Sequence, residues 1–199
     1  MNSVAAVLAL VPFYLLGAFP TGYLVARLYG VDITGVGSGN VGATNVARSV
    51  GKKAGIITLG LDVLKGALAV WIAYLLSDVG WFQASCGVAV VCGHCFSIPG
   101  YLKGGKGVAT ALGVLIALTP PAALVAIATF GILFFARKIV SLASLGATLA
   151  VPAFSLIVNA PDYILIAQII MASILTYRHR ENVQRLIEGR EPRFTSAKN

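Results

Sequence analysis

Charge is what this chain of 199 residues has least of. Only 11% of its residues are Asp, Glu, Lys or Arg, and the acids number just 7. Soluble domains carry about 25% charged residues, so an ordinary water-soluble globule is excluded. Disorder is excluded as well, because a disordered chain needs low hydrophobicity and high charge, and 58% of this one is apolar. Histidine is scarce (2) and cysteine nearly so (3). Cys86, Cys92 and Cys95 fall in one apolar segment. That is no disulfide framework; Cys92 and Cys95 have CxxC spacing but lack the second pair a zinc site needs, so core packing is their expected role. The N-terminus has no basic stretch before its apolar run, so that run is expected to be retained rather than cleaved.

What is present is a series of apolar runs, at about Val4–Leu28, Ala54–Leu76, Trp81–Ile98, Val108–Leu118, Ala122–Ala136, Leu142–Val158 and Tyr163–Tyr177. A membrane span takes about 20 residues, which leaves little room for a soluble domain. The expectation is a single membrane-embedded domain over 1–199, an all-α polytopic helix bundle. The break at Thr119-Pro120-Pro121 divides one apolar stretch into two short pieces, either a kinked helix or a hairpin. Charge chooses. Basic residues cluster at Arg27, Arg48, Lys52 and Lys53, at Lys103 and Lys106, at Arg137 and Lys138, and in the tail from Arg178 onward. The other connections have no Lys or Arg. The positive-inside rule places every basic loop on the cytoplasmic face. An even number of crossings must then separate Lys106 from Arg137, which selects the hairpin. The reading is seven transmembrane helices, N-terminus outside and C-terminus cytoplasmic, with Lys65 as the one basic residue inside a span. Residues 178–199 form a polar cytoplasmic tail; Val183, Leu186 and Ile187 recur at helical spacing before Gly189, as expected of an amphipathic segment on the membrane surface.

The net charge of +8 lies beside apolar runs, so anionic headgroups or phosphorylated substrates are the expected partners, not nucleic acid. The first basic loop reads DITGVGSGNVGATNVARSVGKK. GSGNVG matches GxGxxG, but no strand precedes it, so a dinucleotide fold is not expected. Convergent backbone amides at the glycines, with Ser38, Asn40, Thr44 and Asn45 as short polar arms and Arg48 nearby, suit an anion cradle; a flexible hydrophilic loop would share the composition. The second loop reads GYLKGGKGVAT. Gly105-Lys106 resembles the end of a P-loop, yet Gly107 follows where Ser or Thr would hold magnesium, so a nucleotide triphosphatase is not expected. Glycines and a lysine at a helix N-terminus still suit phosphate; a topology anchor would need the lysines but not the glycines. In the third segment His179 and Asn182, three apart, share a helix face. Asp62 and Lys65 stand at i, i+3 inside a span and either pair or line a site. His94 reads as a helix–helix hydrogen-bond donor, and Ser141 and Ser144 as helix caps or as groups reaching the basic face. No metal-ligand cluster, no Ser-His-Asp set and no HxxxxD pattern occurs.

In order and spacing, GSGNVGATNVAR, GHCFSIPGYLKGGKGVAT and SILTYRHRENVQRLIEGRE resemble the three signature motifs of the bacterial acyl-phosphate:glycerol-3-phosphate acyltransferases. The resemblance covers essentially the whole chain. It implies a seven-helix bundle in the bacterial cytoplasmic (inner) membrane. It implies transfer of a fatty acyl group from acyl phosphate to the 1-position of glycerol 3-phosphate, giving lysophosphatidic acid and phosphate, with no cofactor and no metal. Carried over by position, it implies Ser38, Lys106, His179 and Asn182 as catalytic residues. Asn40, Thr44, Arg48, Lys103, Gly104, Gly105 and Gly107 would contact phosphate, with His94 beside them; Ser141 and Ser144 match a further serine pair. The base for the glycerol hydroxyl is either His179 or the donor's own phosphate. An organic-phosphate transporter or channel is the alternative from another class; against it stand the lack of an inverted repeat and the placement of every phosphate-binding feature on one face.

Overall fold

A computed structural model describes residues 3–97 and 104–194. Those residues form helices and connections only, with no strand among them. The order is α1 (Ser3–Leu8), α2 (Val11–Ala18), α3 (Thr21–Leu28), α4 (Ala43–Ser49), α5 (Lys52–Leu76), α6 (Gly80–Phe96), α7 (Val108–Leu118), α8 (Pro120–Arg137), α9 (Val140–Ile157), α10 (Asp162–Arg178) and α11 (Arg180–Ile187). Three of them, α5, α8 and α9, are long and apolar enough to cross a membrane; α7, with 11 residues, rises only about 17 Å.

The first apolar run is not one helix. It is broken into α1, α2 and α3, and both breaks follow from proline. A proline ring collides with the carbonyl four residues back and offers no N–H. Pro12 therefore ends α1 at Leu8 and opens α2, and Pro20 ends α2 at Ala18 and precedes α3. Pro120 similarly opens α8, after Thr119 has left helical backbone at φ −147°.

Most of the helices pack around a core of small and β-branched side chains, among them Val70, Val90, Val91 and Val114, with Cys86 and Cys95 buried inside it. Glycine lets backbones meet. A Cβ at Gly17 would strike the Val90 carbonyl and one at Gly93 the Tyr14 carbonyl, so α2 and α6 touch reciprocally. Gly66 against Thr110 and Gly113 against Val63 do the same for α5 and α7. Membrane helix pairs rely on such close approach because lipid supplies no hydrophobic drive between them.

A second, smaller core consists of Val25, Ala26, Ile33, Val41, Val46 and Ala54. It ties the segment between α3 and α5 to the bundle. That segment is therefore not a flexible hydrophilic loop: it is pinned by buried Ile33, Val41 and Val46, and it contains α4.

Candidate functional site

The segment from α3 to α4 is organised by Asn45, a buried residue of α4. Its Oδ1 accepts the Ser38 N–H at 3.0 Å. Its Nδ2 donates to the Val36 carbonyl at 3.1 Å and the Asn40 carbonyl at 2.9 Å. Asn45 was expected as a free polar arm and is instead the staple of the turn. Asn40 is also occupied locally, its Oδ1 accepting the Gly42 N–H at 2.8 Å. Ser38 is exposed at the turn. Thr44 and Arg48 lie one turn apart on α4 and share a face, half-buried, with no side-chain hydrogen bond among the described residues.

The second segment is held from two sides. The Gly105 N–H donates to the His94 carbonyl at 2.9 Å. Arg178 donates from Nε to the Gly105 carbonyl at 3.0 Å and from Nη2 to the Gly104 carbonyl at 2.8 Å, while its guanidinium lies 5.9 Å over the Phe96 ring. These contacts correct one expectation. The Gly105 amide is spent on protein and is not available to a phosphate. The glycines are needed for space: a Cβ at Gly104 would strike the Cys95 carbonyl, one at Gly105 the His94 ring, and one at Gly107 the Cys95 sulfur. Gly107 also takes φ +82°, a left-handed conformation that opens α7 and that a side chain resists. The α7 N-terminus still presents its first-turn amides at this end. Lys103 lies outside the described residues.

Lys106 joins the second segment to the third. Its Nζ donates a short hydrogen bond to Asn182 Oδ1. Asn182 in turn donates from Nδ2 to Glu191 Oε1 at 2.6 Å. The same oxygen accepts Ser141 Oγ at 2.7 Å, and Arg185 Nε reaches Glu191 Oε2 at 2.7 Å. Ser141 is thus not a helix cap, since α9 has no side-chain cap; it ties α9 to the tail. Ser144 is buried one turn on and makes no hydrogen bond to this cluster among the described residues. His179 is 2% exposed. Its Nδ1 lies 2.8 Å from the Leu175 carbonyl; a carbonyl only accepts, so Nδ1 carries the proton and Nε2 presents a lone pair.

The electrostatics follow from these contacts. Burial pulls the Lys106 ammonium down to about 8, against a partly compensating Glu191. Burial likewise pulls His179 down to about 4, so its ring is neutral at physiological pH. Burial pushes the Glu191 carboxyl up, but hydrogen bonds from Ser141, Asn182 and Arg185 outweigh it and hold the group below its usual range. Lys106, Arg178 and Arg185 outnumber the two carboxylates that act on Lys106, Glu191 and Glu181, an excess suited to anionic substrates.

Lys106, Gly104, Gly105, Gly107, Asn182 and Ser141 are therefore brought into one connected set, with His179 at its edge. Residues Ser38, Asn40, Thr44 and Arg48 make no bond to that set among the described residues; the nearest link is a small cavity that Val41 shares with Gly104, His94, Lys65 and Thr21. Sequence reading missed Glu191 as a hub and Arg178 as a clamp. Glu191 is one of three acids in the basic tail, with Glu181 and Glu188, so nothing in composition singled it out; nothing in spacing announces Arg178.

The arrangement defines an all-helical membrane protein whose basic, glycine-lined rim suits phosphate-bearing substrates. Comparison narrows the class. The family model described as glycerol-3-phosphate acyltransferase matches residues 7–189. A glycerol-3-phosphate acyltransferase of Trichlorobacter lovleyi is 46% identical over 181 residues, covering 91% of this chain and 93% of that one. One of Aquifex aeolicus is 44% identical over 182 residues, covering 91% and 95%. Two crystal structures of PlsY (YgiH), an integral membrane glycerol 3-phosphate acyltransferase, superpose with TM-scores of 0.90 (glycerol 3-phosphate form) and 0.88 (lysophosphatidic acid form). Each is 42% identical and covers 96% of both chains. The chain belongs to the glycerol-3-phosphate acyltransferase family. It is an acyltransferase bound to the membrane, and the transporter reading falls with that assignment.

Proposed function

We propose that this protein transfers a fatty acyl group from acyl phosphate to the 1-hydroxyl of glycerol 3-phosphate, giving lysophosphatidic acid and inorganic phosphate. It does so as a seven-span protein of the bacterial cytoplasmic membrane, N-terminus outside and C-terminus inside, with residues 178–199 as a cytoplasmic tail. The observation that carries this reading is the hydrogen-bonded line from Lys106 through Asn182 to Glu191 and Ser141, which makes one basic site of the second and third sequence motifs.

The reaction needs little covalent help. Acyl phosphate is a mixed anhydride with its leaving group already in place. The glycerol oxygen forms a C–O bond to the carbonyl carbon, the carbon–oxygen bond to phosphate breaks, and the hydroxyl proton ends on the departing phosphate. Holding both substrates in register contributes up to about 7–11 kcal/mol in favourable cases. Lys106 and Arg48 hold phosphate through charge-assisted hydrogen bonds, worth about 1.5–3 kcal/mol each. The α7 amides and the hydroxyls of Ser38 and Thr44 face the charge that grows on the oxyanion and the leaving phosphate. A neutral His179 with an accepting Nε2 orients the glycerol hydroxyl. Its depressed basicity makes the donor phosphate, with a pKa of about 6, the better final proton acceptor.

The test is a product assay with labelled glycerol 3-phosphate and purified protein in detergent, fed palmitoyl phosphate or palmitoyl-CoA. Lysophosphatidic acid is expected from the phosphate donor alone, and substitution Lys106→Ala is expected to lower its rate by about a hundredfold or more while the protein stays folded. Equal rates from the two donors would contradict the donor assignment, and near-normal Lys106→Ala would contradict the site.

A further inference from the structure

The buried charges of α5 have no part in the chemistry above. Asp62 and Lys65 are only 2% and 6% exposed, with Nζ 2.8 Å from Asp62 Oδ1. The same oxygen accepts Thr21 Oγ1 of α3 at 2.5 Å and lies 3.5 Å from His94 Nδ1 of α6. Lys65 also donates to the Phe19 carbonyl, at the proline break before α3, at 3.3 Å. Burying such a pair inside a membrane bundle carries a desolvation cost, and fastening helices is done as well by apolar contact. The cluster therefore calls for a purpose besides stability.

His94 is where the cluster meets the site. Its carbonyl holds the Gly105 amide, and its imidazole fills the space that a side chain on Gly105 would need: a Cβ there would strike Nε2, Cε1 and Cδ2 of the ring. The end of a side chain normally yields to such pressure by rotating. This ring has Asp62 Oδ1 3.5 Å from its Nδ1, within electrostatic reach, and Asp62 is fastened in turn by Lys65 and Thr21.

We infer that His94 is a positioning residue, held by Asp62 and Lys65 as a rigid wall that seats Gly105 and so aims Lys106 and the first amides of α7 at substrate phosphate. The inference rests on the reading of Gly104–Gly107 as the phosphate-binding segment, and it adds a second role to the glycine: Gly105 is required because His94 cannot move. The small cavity beneath Gly104, lined also by Lys65, Thr21 and His94, lies between the cluster and that segment.

The experiment is a mutant cycle read as KM for glycerol 3-phosphate and kcat in detergent. Gly105→Ala in the native background is expected to raise KM by about tenfold or more, a coupling within the range of touching residues. His94→Ala, which removes the wall and lets the segment wander, is expected to raise KM by a similar factor with kcat within about threefold. Added to His94→Ala, or to Asp62→Asn with its loosened ring, Gly105→Ala should cost less than about threefold more. An equal penalty for Gly105→Ala in all three backgrounds overturns the inference, as does a fall in melting temperature with native KM. Should Asp62→Asn not fold, the His94→Ala arm decides alone, because it leaves Asp62 bonded to Lys65 and Thr21. Lys106→Ala is run beside them: if it is inactive while the cycle shows no relief, the inference fails and the phosphate reading survives; if it is active, the phosphate reading itself fails.

Discussion

Lys106 is a cation at the edge of losing its charge. Burial brings it to about 8, within reach of physiological pH, whereas an exposed lysine holds its proton to about 10.4. Glu191 and Glu181 favour its charge, and Arg185 and Arg178 oppose it. Below that value it grips phosphate as an ammonium; above it, the grip weakens. The pH profile of kcat/KM reports groups of the free enzyme, so it is expected to fall on an alkaline limb near 8. Lys106→Arg should be slower throughout, because a guanidinium does not replace a point donor, but its limb should vanish. A limb that persists unchanged in Lys106→Arg assigns it to another group. At this scale the sequence was a partial guide to which residues gather and a poor guide to what they hold. Lys106, Asn182 and Ser141 are joined through hydrogen bonds, whereas Ser38, Thr44 and Arg48 make no bond to them among the described residues. Asn45 and Asn40 looked like the same kind of ligand, yet both are consumed in shaping a turn, and Glu191 stayed hidden because a hydrogen-bond hub has no local pattern.

At the scale of elements, hydrophobic runs announced the helices, and proline decided where the first run breaks, although Pro152 lies inside α9 without ending it. The first run read as one helix because its apolar content is continuous; Pro12 and Pro20 cut it into three. The short helix α4 was read as loop, since ATNVARS has neither length nor an apolar stripe, and only Val46 in the secondary core and the buried Asn45 reveal its packing. Glycines deceived most. At Gly104 and Gly105 their chemistry reads as a phosphate cradle, and their geometry is a close approach to the end of α6. The same geometry recurs between α2 and α6, where it can be tested away from the site. Gly93→Ala forces a Cβ on the Tyr14 carbonyl, and backbone does not yield cheaply. It is expected to destabilise by about 1–3 kcal/mol, seen as a lower melting temperature in detergent. Gly60, exposed on α5 with nothing near its Cβ position, is the control: Gly60→Ala should leave the melting temperature equal or higher. Equal losses at the two positions would contradict the packing argument.

For the molecule as a whole, membrane residence was legible from composition alone, because too few charges remain to cover a soluble surface. The direction of the chain across the bilayer is proposed from the distribution of Lys and Arg alone, a rule about insertion rather than about packing. The shared site depends on that direction. Arg48, Lys106 and the tail must lie on one side of the bilayer for the three motifs to serve one reaction. The most direct measurement places single cysteines at Ser38, Lys106 and Arg190 in a background freed of Cys86, Cys92 and Cys95. Each is labelled with a membrane-impermeant maleimide in intact spheroplasts and in inverted vesicles, with and without glycerol 3-phosphate. All three are expected to label only in inverted vesicles, with glycerol 3-phosphate slowing the reaction at Ser38→Cys. Labelling of any one of them from the outside would contradict a single cytoplasmic site, and the account with it.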